Sequence, residues 1–168
     1  MDERTEIFAG WMKEHLGVLH RISRAYAEAA DQHDLLQELM ISVWKAAPAF
    51  RAESAPRTFI YRVALNRALS WRKRESGRGR RSAEFDFEWQ AMANPPPDPA
   101  EAALLERLYA GIRKLRPLDR ALILLSLDGV PQREIARIHD MSETNVGVRL
   151  SRIRRQISVL VQEQDDGF

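Results

Sequence analysis

The chain has 168 residues, 26 of them Lys or Arg and 24 Asp or Glu, a net charge of +2 that by itself demands no polyanionic partner. It has no cysteine, which excludes disulfides, Cys-ligated zinc, iron–sulfur clusters and thiol nucleophiles. No apolar run approaches the ~18 residues of a membrane span, and the start Met1-Asp2-Glu3-Arg4 lacks an apolar signal core, so a cytoplasmic globular protein of one domain or two small ones is expected.

Apolar residues at steps of three and four (Ile7, Phe8, Trp11, Met12, Leu16, Leu19, Ile22, Tyr26) predict an amphipathic helix over 5–28. Leu35, Leu36, Leu39, Met40, Val43 and Trp44 predict a second over 33–46, capped by Asp31 or Asp34 and stopped by Ala47-Pro48. Residues 50–57 read as a loop. Thr58 then caps a third helix, about 58–74, whose apolar stripe is Phe59, Ile60, Val63, Ala64, Ala68 and Leu69. Arg62, Asn66 and Lys73 lie on another face, and Arg67, Trp71 and Arg74 share a neighbouring one.

Charge is segregated from here on. Residues 51–81 carry 10 basic and 2 acidic side chains, whereas 82–110 carry 1 basic and 6 acidic. Such a basic block is either a polyanion-binding surface or a solvated helix face followed by a basic tail. Residues 76–100 read as a linker, opened by Ser76-Gly77-Arg78-Gly79 and closed by the extended run Pro95-Pro96-Pro97-Asp98-Pro99, with an apolar patch from Phe85 to Met92 between them.

Beyond the linker, Leu104, Leu105, Leu108, Tyr109 and Ile112 predict one helix. Asp119 to Leu127 predicts another, broken by Asp128-Gly129. Pro131 opens a short helix buried through Ile135, Ala136 and Ile138, His139-Asp140-Met141 makes a turn, and Ser142 caps a last helix holding Val146, Val148, Leu150, Ile153, Ile157 and Leu160. With no alternating strand pattern, the chain reads as all-α, two small helical domains joined by a flexible linker.

Residues 132–152 hold the most specific local pattern. A small Ala136 leaves room for a crossing helix, and Val146 packs back between the two. Glu143, Thr144, Asn145, Arg149 and Arg152 are left outside. Short polar residues at a helix start followed by arginines suit entry into a major groove. The same pattern also describes an ordinary αα-corner. His15, His20, His33 and His139 lack metal-ligand spacing with carboxylates, and there is no phosphate loop or paired-carboxylate motif. Neither an enzyme nor a bound metal or cofactor is expected.

Two blocks of residues then fall in a telling order. The first runs through Asp34-Leu35-Leu36-Gln37-Glu38, Val43-Trp44, Phe50 and Thr58-Phe59-Ile60-Tyr61-Arg62-Val63-Ala64-Leu65-Asn66 to Trp71-Arg72. The second runs through Leu115-Arg116-Pro117, Arg120, Asp128-Gly129-Val130, Glu134-Ile135-Ala136, Val146, Arg149-Leu150 and Arg152. Together they resemble the sigma-70 family of bacterial transcription initiation factors, in its small extracytoplasmic-function group. The resemblance implies a region 2-like domain over 1–75, a linker over 76–100 and a region 4-like helix-turn-helix domain over 101–168.

The resemblance also implies roles. Asp34, Gln37, Glu38 and Trp44 would dock on the β′ clamp helices of core RNA polymerase. Arg51, Arg57, Thr58, Tyr61, Arg62, Asn66, Arg67, Trp71, Lys73 and Arg74 would read and help melt the −10 promoter element. Ser142, Glu143, Thr144, Asn145, Arg149 and Arg152 would read the −35 element, the apolar surface of 118–127 would meet the β flap, and an anti-sigma factor would hold the protein in check. Simpler roles stand beside these: Tyr61, Trp71 and Trp44 as core, and Asp34 and Glu38 as helix-capping charges. His139, Asp140 and Ile153 depart from the Leu, Gly and Ala common in the family. Two rival functions also fit part of the pattern: a dimeric helix-turn-helix regulator acting without polymerase, and a sigma-like decoy. Opening about ten base pairs costs on the order of 10–15 kcal/mol. A few aromatic stacks return ~1–3 kcal/mol each, so the isolated protein cannot melt a promoter and polymerase must hold the open strands.

Overall fold

The computed structural model describes residues 2–71 and 98–165. These residues form seven α-helices and one 3-10 turn, with no strand among them. The chain divides into two compact units, one through Pro96 and one from Pro97.

The first unit packs three helices. α1 (Glu3–Tyr26) starts at Asp2, whose carboxylate accepts from the Thr5 amide at 2.8 Å and the Thr5 hydroxyl at 2.6 Å. This cap satisfies an otherwise orphaned donor and places negative charge at the positive helix end. α2 (Gln32–Ala46) is followed by a 3-10 turn over Ala47–Ala49, because Pro48 cannot continue the α-helical ladder. Asp31 occupies the position before α2 but makes no side-chain cap bond. The core is Phe8, Trp11, Met12, Leu16, Leu19 and Ile22 from α1, Leu35, Leu39, Met40 and Val43 from α2, and a third set from α3. The heptad-like spacing of these residues puts each set on one stripe, so three stripes can close on a common interior.

α3 (Pro56–Leu69) corrects the predicted helix at both ends. It begins at Pro56, whose fixed φ and missing N–H suit a first helical position. Thr58 therefore lies buried inside the first turn, and the N-cap position falls to Ala55 instead. Ile60, Tyr61, Ala64, Leu65 and Ala68 form the buried stripe. Leu69, expected in that stripe, is 49% exposed. The helix stops at Leu69, so Trp71 lies beyond it and does not share a helical face with Arg67. Lys73, Arg74 and the Phe85–Met92 patch lie outside the described residues.

The second unit begins with α4 (Pro99–Arg113), which reaches back into the stretch expected as linker. α5 (Pro117–Leu127), α6 (Gln132–Ile138) and α7 (Glu143–Asp165) complete it. Arg120 ties the α4–α5 corner by donating to the carbonyls of Leu115 at 2.9 Å and Arg113 at 2.6 Å. The Arg113 carbonyl ends the preceding helix and has no intrahelical donor, and that of Leu115 lies in the turn just beyond it. α5 closes on Gly129 at φ +75°, with Val130 N–H bonded to Leu125 O at 3.0 Å and Gly129 N–H to Ser126 O at 3.1 Å. This is the Schellman ending, in which a left-handed residue lets two orphan carbonyls be satisfied. The core gathers Tyr109, Ile112, Leu122, Ile123, Leu124, Leu125, Ile135, Val146, Leu150, Ile153 and Ile157.

Candidate functional site

On α2, Asp34, Gln37 and Glu38 stand one turn apart, half-exposed, on the side away from the buried Leu35, Leu39 and Val43. Gln37 Nε2 lies 3.1 Å from His33 Nε2. Trp44 is half-buried, and the Arg4 guanidinium sits 4.7 Å from its ring centroid, a cation–π contact that ties the start of α1 to the end of α2. Glu38 is committed within the unit. Its Oε2 accepts from Arg67 Nε at 3.1 Å and Nη2 at 2.7 Å. One residue implied for polymerase and one implied for DNA thus neutralise each other across α2 and α3.

The basic surface is carried by α3 and the loop before it. Arg62 and Asn66 are exposed and one turn apart, so they share a face. Arg51 is exposed, and Arg57, Arg67 and Trp71 are half-exposed. Tyr61 is different: it is 0% exposed and its hydroxyl has no hydrogen-bond partner among the described residues. A ring with no surface cannot stack on a base, so Tyr61 is core. Thr58, buried at 9% exposure, offers little surface to DNA. The 50–55 loop is held by an aromatic cluster in which Trp11, Phe50 and Phe59 have ring centroids 5.3–5.7 Å apart in edge-on and tilted pairs. Within that loop Ala52 takes φ +56°, a left-handed conformation that costs energy for any residue with a Cβ.

α6 and α7 form the helix-turn-helix. Ala136 and Val146 are buried where the helices cross. Ser142 Oγ accepts from the Asn145 amide at 3.1 Å, the N-cap expected for α7. The turn repeats the Schellman pattern with Asp140 in place of glycine, at φ +51°, and Met141 N–H on Ala136 O at 2.9 Å. His139 is half-buried beneath the turn. Its Nε2 has no partner among the described residues, and burial pulls its pKa below 6.5. Ser142, Glu143, Thr144, Asn145 and Arg152 are exposed at and after the start of α7. Arg149 is drawn back: its Nε and Nη2 donate to Asp119 Oδ1 at 3.2 and 2.7 Å, joining α7 to the first turn of α5. The apolar side of α5 also turns inward. Ala121 to Leu125 are buried, and the exposed apolar residues of that helix are Leu118 and Leu127 at its two ends.

Two features escaped the sequence pattern. A Cβ on Gly147 would lie 3.0 Å from Gln132 Oε1, so the Gln132 carboxamide lies against α7 and the glycine makes room for it. A glycine inside an otherwise strong helix was the available signal. Val148, expected among the apolar residues of α7, is 46% exposed.

Residues 11–78 match the model of sigma-70 region 2, and residues 105–157 match that of sigma-70 region 4. The chain is 32% identical to the ECF RNA polymerase sigma-E factor of Escherichia coli K12 over 148 residues, covering 82% of this chain and 77% of that protein. Its fold is like that of the sigma factor RpoE of Bartonella quintana, solved with the anti-sigma factor NepR (TM-score 0.66, 18% identity, 92% of this chain and 96% of that one). It is also like that of CnrH, solved with the cytosolic domain of CnrY (TM-score 0.63, 22% identity, 95% and 90% covered). With both regions matched in order and a relative of this identity over most of its length, the chain belongs to the extracytoplasmic-function group of the sigma-70 family and is a transcription initiation factor.

Proposed function

We propose that this protein binds core RNA polymerase in the cytoplasm through the polar side of α2 and directs it to promoters with a −10 and a −35 element. The observation that carries the reading is the order of two surfaces in one chain: the exposed Arg62–Asn66 row of α3, then the exposed start of α7. In this reading Asp34 and Gln37 meet a basic surface of polymerase, with Trp44 at the rim. Glu38 holds Arg67 in place beside them. Arg51, Arg57, Arg62, Asn66 and Trp71 face the −10 element, joined by Lys73 and Arg74. Thr144, Asn145 and Arg152 face the −35 element, with Ser142 and Glu143 at the helix start. An anti-sigma partner is supported by the company of the related folds, both solved with partners of that kind or of a named cytosolic domain. Leu118 and Leu127, exposed at the ends of α5, are the apolar residues available to the β flap.

The test is run-off transcription with purified protein and bacterial core polymerase on fragments of the source genome. Specific transcripts are expected, and they should be lost when Asp34 and Gln37 are both changed to Ala. Glu38→Ala is kept separate, because it also breaks the pair with Arg67. Failure to bind polymerase, together with tight binding to duplex DNA alone, would favour the dimeric regulator instead. Binding to neither would favour the decoy.

A further inference from the structure

We infer that Val148 is a sequence-reading residue that receives the 5-methyl group of a thymine in the −35 element. The inference rests on α7 being the −35 reader. Val146, Leu150, Ile153 and Ile157 define the buried side of α7. Helical spacing puts Thr144, Val148, Ser151, Arg152 and Arg155 on the opposite side, and all five are exposed. Val148 stands mid-stripe, 46% exposed, in the second turn of the helix.

Core packing does not account for a valine there, since Val148 lies outside the buried set of α7. A β-branched residue is a poorer helix former than Ala, Lys or Arg, and this one gains no core burial in return. The neighbouring weak helix former does have a structural reason, since Gly147 makes room for Gln132. The surroundings name the occupant. Arg152 and Arg155 lie on the same exposed side, one and two turns on, and Thr144 lies one turn back. A basic and hydroxylic frame around one apolar contact suits a major groove, where phosphates flank the base edges. The apolar group displayed there is the thymine methyl, and small apolar side chains are what read it.

The experiment uses the full chain in holoenzyme with bacterial core polymerase. Duplexes randomised across both promoter elements are selected for binding, and the enriched fragment is the probe. Each thymine of its −35 element is then replaced by deoxyuridine, which removes the methyl and nothing else. Wild-type holoenzyme is expected to lose roughly three- to five-fold in affinity at one position, about the worth of one buried methyl group. Val148→Ala is expected to bind the thymine probe equally less well and to show no further loss with uracil. Val148→Thr keeps the shape and guards against an effect of side-chain loss on the helix; it should retain most of the uracil penalty through its own methyl. A uracil penalty that Val148→Ala leaves intact overturns the inference, as does an enriched −35 element with no thymine on either strand. A Val148→Ala variant with a normal promoter profile but altered capture by an anti-sigma partner also overturns it, and assigns the valine to protein contact. If selection enriches no duplex at all, the reading of α7 itself fails, which is a distinct result.

Discussion

At the residue scale, side chains that look alike in sequence part company in the structure. Tyr61 and Trp71 both stood as aromatics beside a basic helix, yet Tyr61 is fully buried and Trp71 is half-exposed beyond the helix end. In the proposed complex fewer stacking side chains remain to offset strand opening, which would place still more of the ~10–15 kcal/mol on polymerase. Tyr61→Phe removes a buried hydroxyl that makes no hydrogen bond among the described residues. It should leave stability within about 0.5 kcal/mol of wild type, or raise it, and leave promoter opening unchanged. Chemical denaturation and permanganate footprinting of the open complex check this, and a loss of opening would return Tyr61 to the DNA surface. The arginines divide in the same way. Arg67 and Arg149 are spent on Glu38 and Asp119, while Arg62 and Arg152 point to solvent. Residue type and spacing announce that a surface is basic. They do not say which arginine is neutralised by a carboxylate some thirty residues away.

At the element scale, the informative piece is the turn between α6 and α7. Its hydrogen bonds are those that close α5 on Gly129, but Asp140 carries the left-handed φ of +51°. Asp140→Gly relieves a conformation that costs a residue with a Cβ ~1–2 kcal/mol and returns part of that to greater chain entropy when unfolded. A net gain of about 0.5–1 kcal/mol is expected, read as slower amide exchange in α6 and α7. His139, one residue earlier, adds a pH dependence. Burial lowers its pKa in the folded protein below the 6.5 of the free side chain. The unfolded chain therefore binds more protons in this range, so stability falls as pH drops through 6.5 and levels off below the folded pKa. His139→Leu should flatten this component in thermal unfolding of the helix-turn-helix between pH 7 and 5, whereas an unchanged slope would show that other groups carry it. The departures at these two positions are plain in sequence. That Asp140 keeps the turn intact follows from backbone hydrogen bonds that a glycine-free sequence does not display.

At the scale of the whole molecule, the segregated charge sets how binding responds to salt. Residues 51–81 carry 10 basic and 2 acidic side chains in a chain whose net charge is only +2. In the proposed complex each phosphate contact releases counterions, so affinity falls with salt by a slope that counts those contacts. Arg62→Ala and Arg152→Ala should each lower the magnitude of that slope by about 1 in holoenzyme binding to a promoter fragment. Arg149→Ala should change it less, because Asp119 already answers its charge. Equal effects from all three would mean that the Asp119 pair opens on DNA. Helix existence, the all-α class and the position of the helix-turn-helix were legible in the chain, because apolar periodicity, Pro and Gly act within a few residues of themselves. The family was legible for the same reason, its motifs being local and ordered. Helix ends were less so: Pro56 rather than Thr58 opens α3, and Leu69 and Val148 leave their stripes for solvent. Which face closes inward, and which charge is spent on a distant partner, depends on elements packed from far along the chain. Only packing brings Glu38 to Arg67 and Asp119 to Arg149, turns Tyr61 inward and leaves Val148 out, because burial and pairing are properties of three-dimensional neighbours rather than of sequence neighbours.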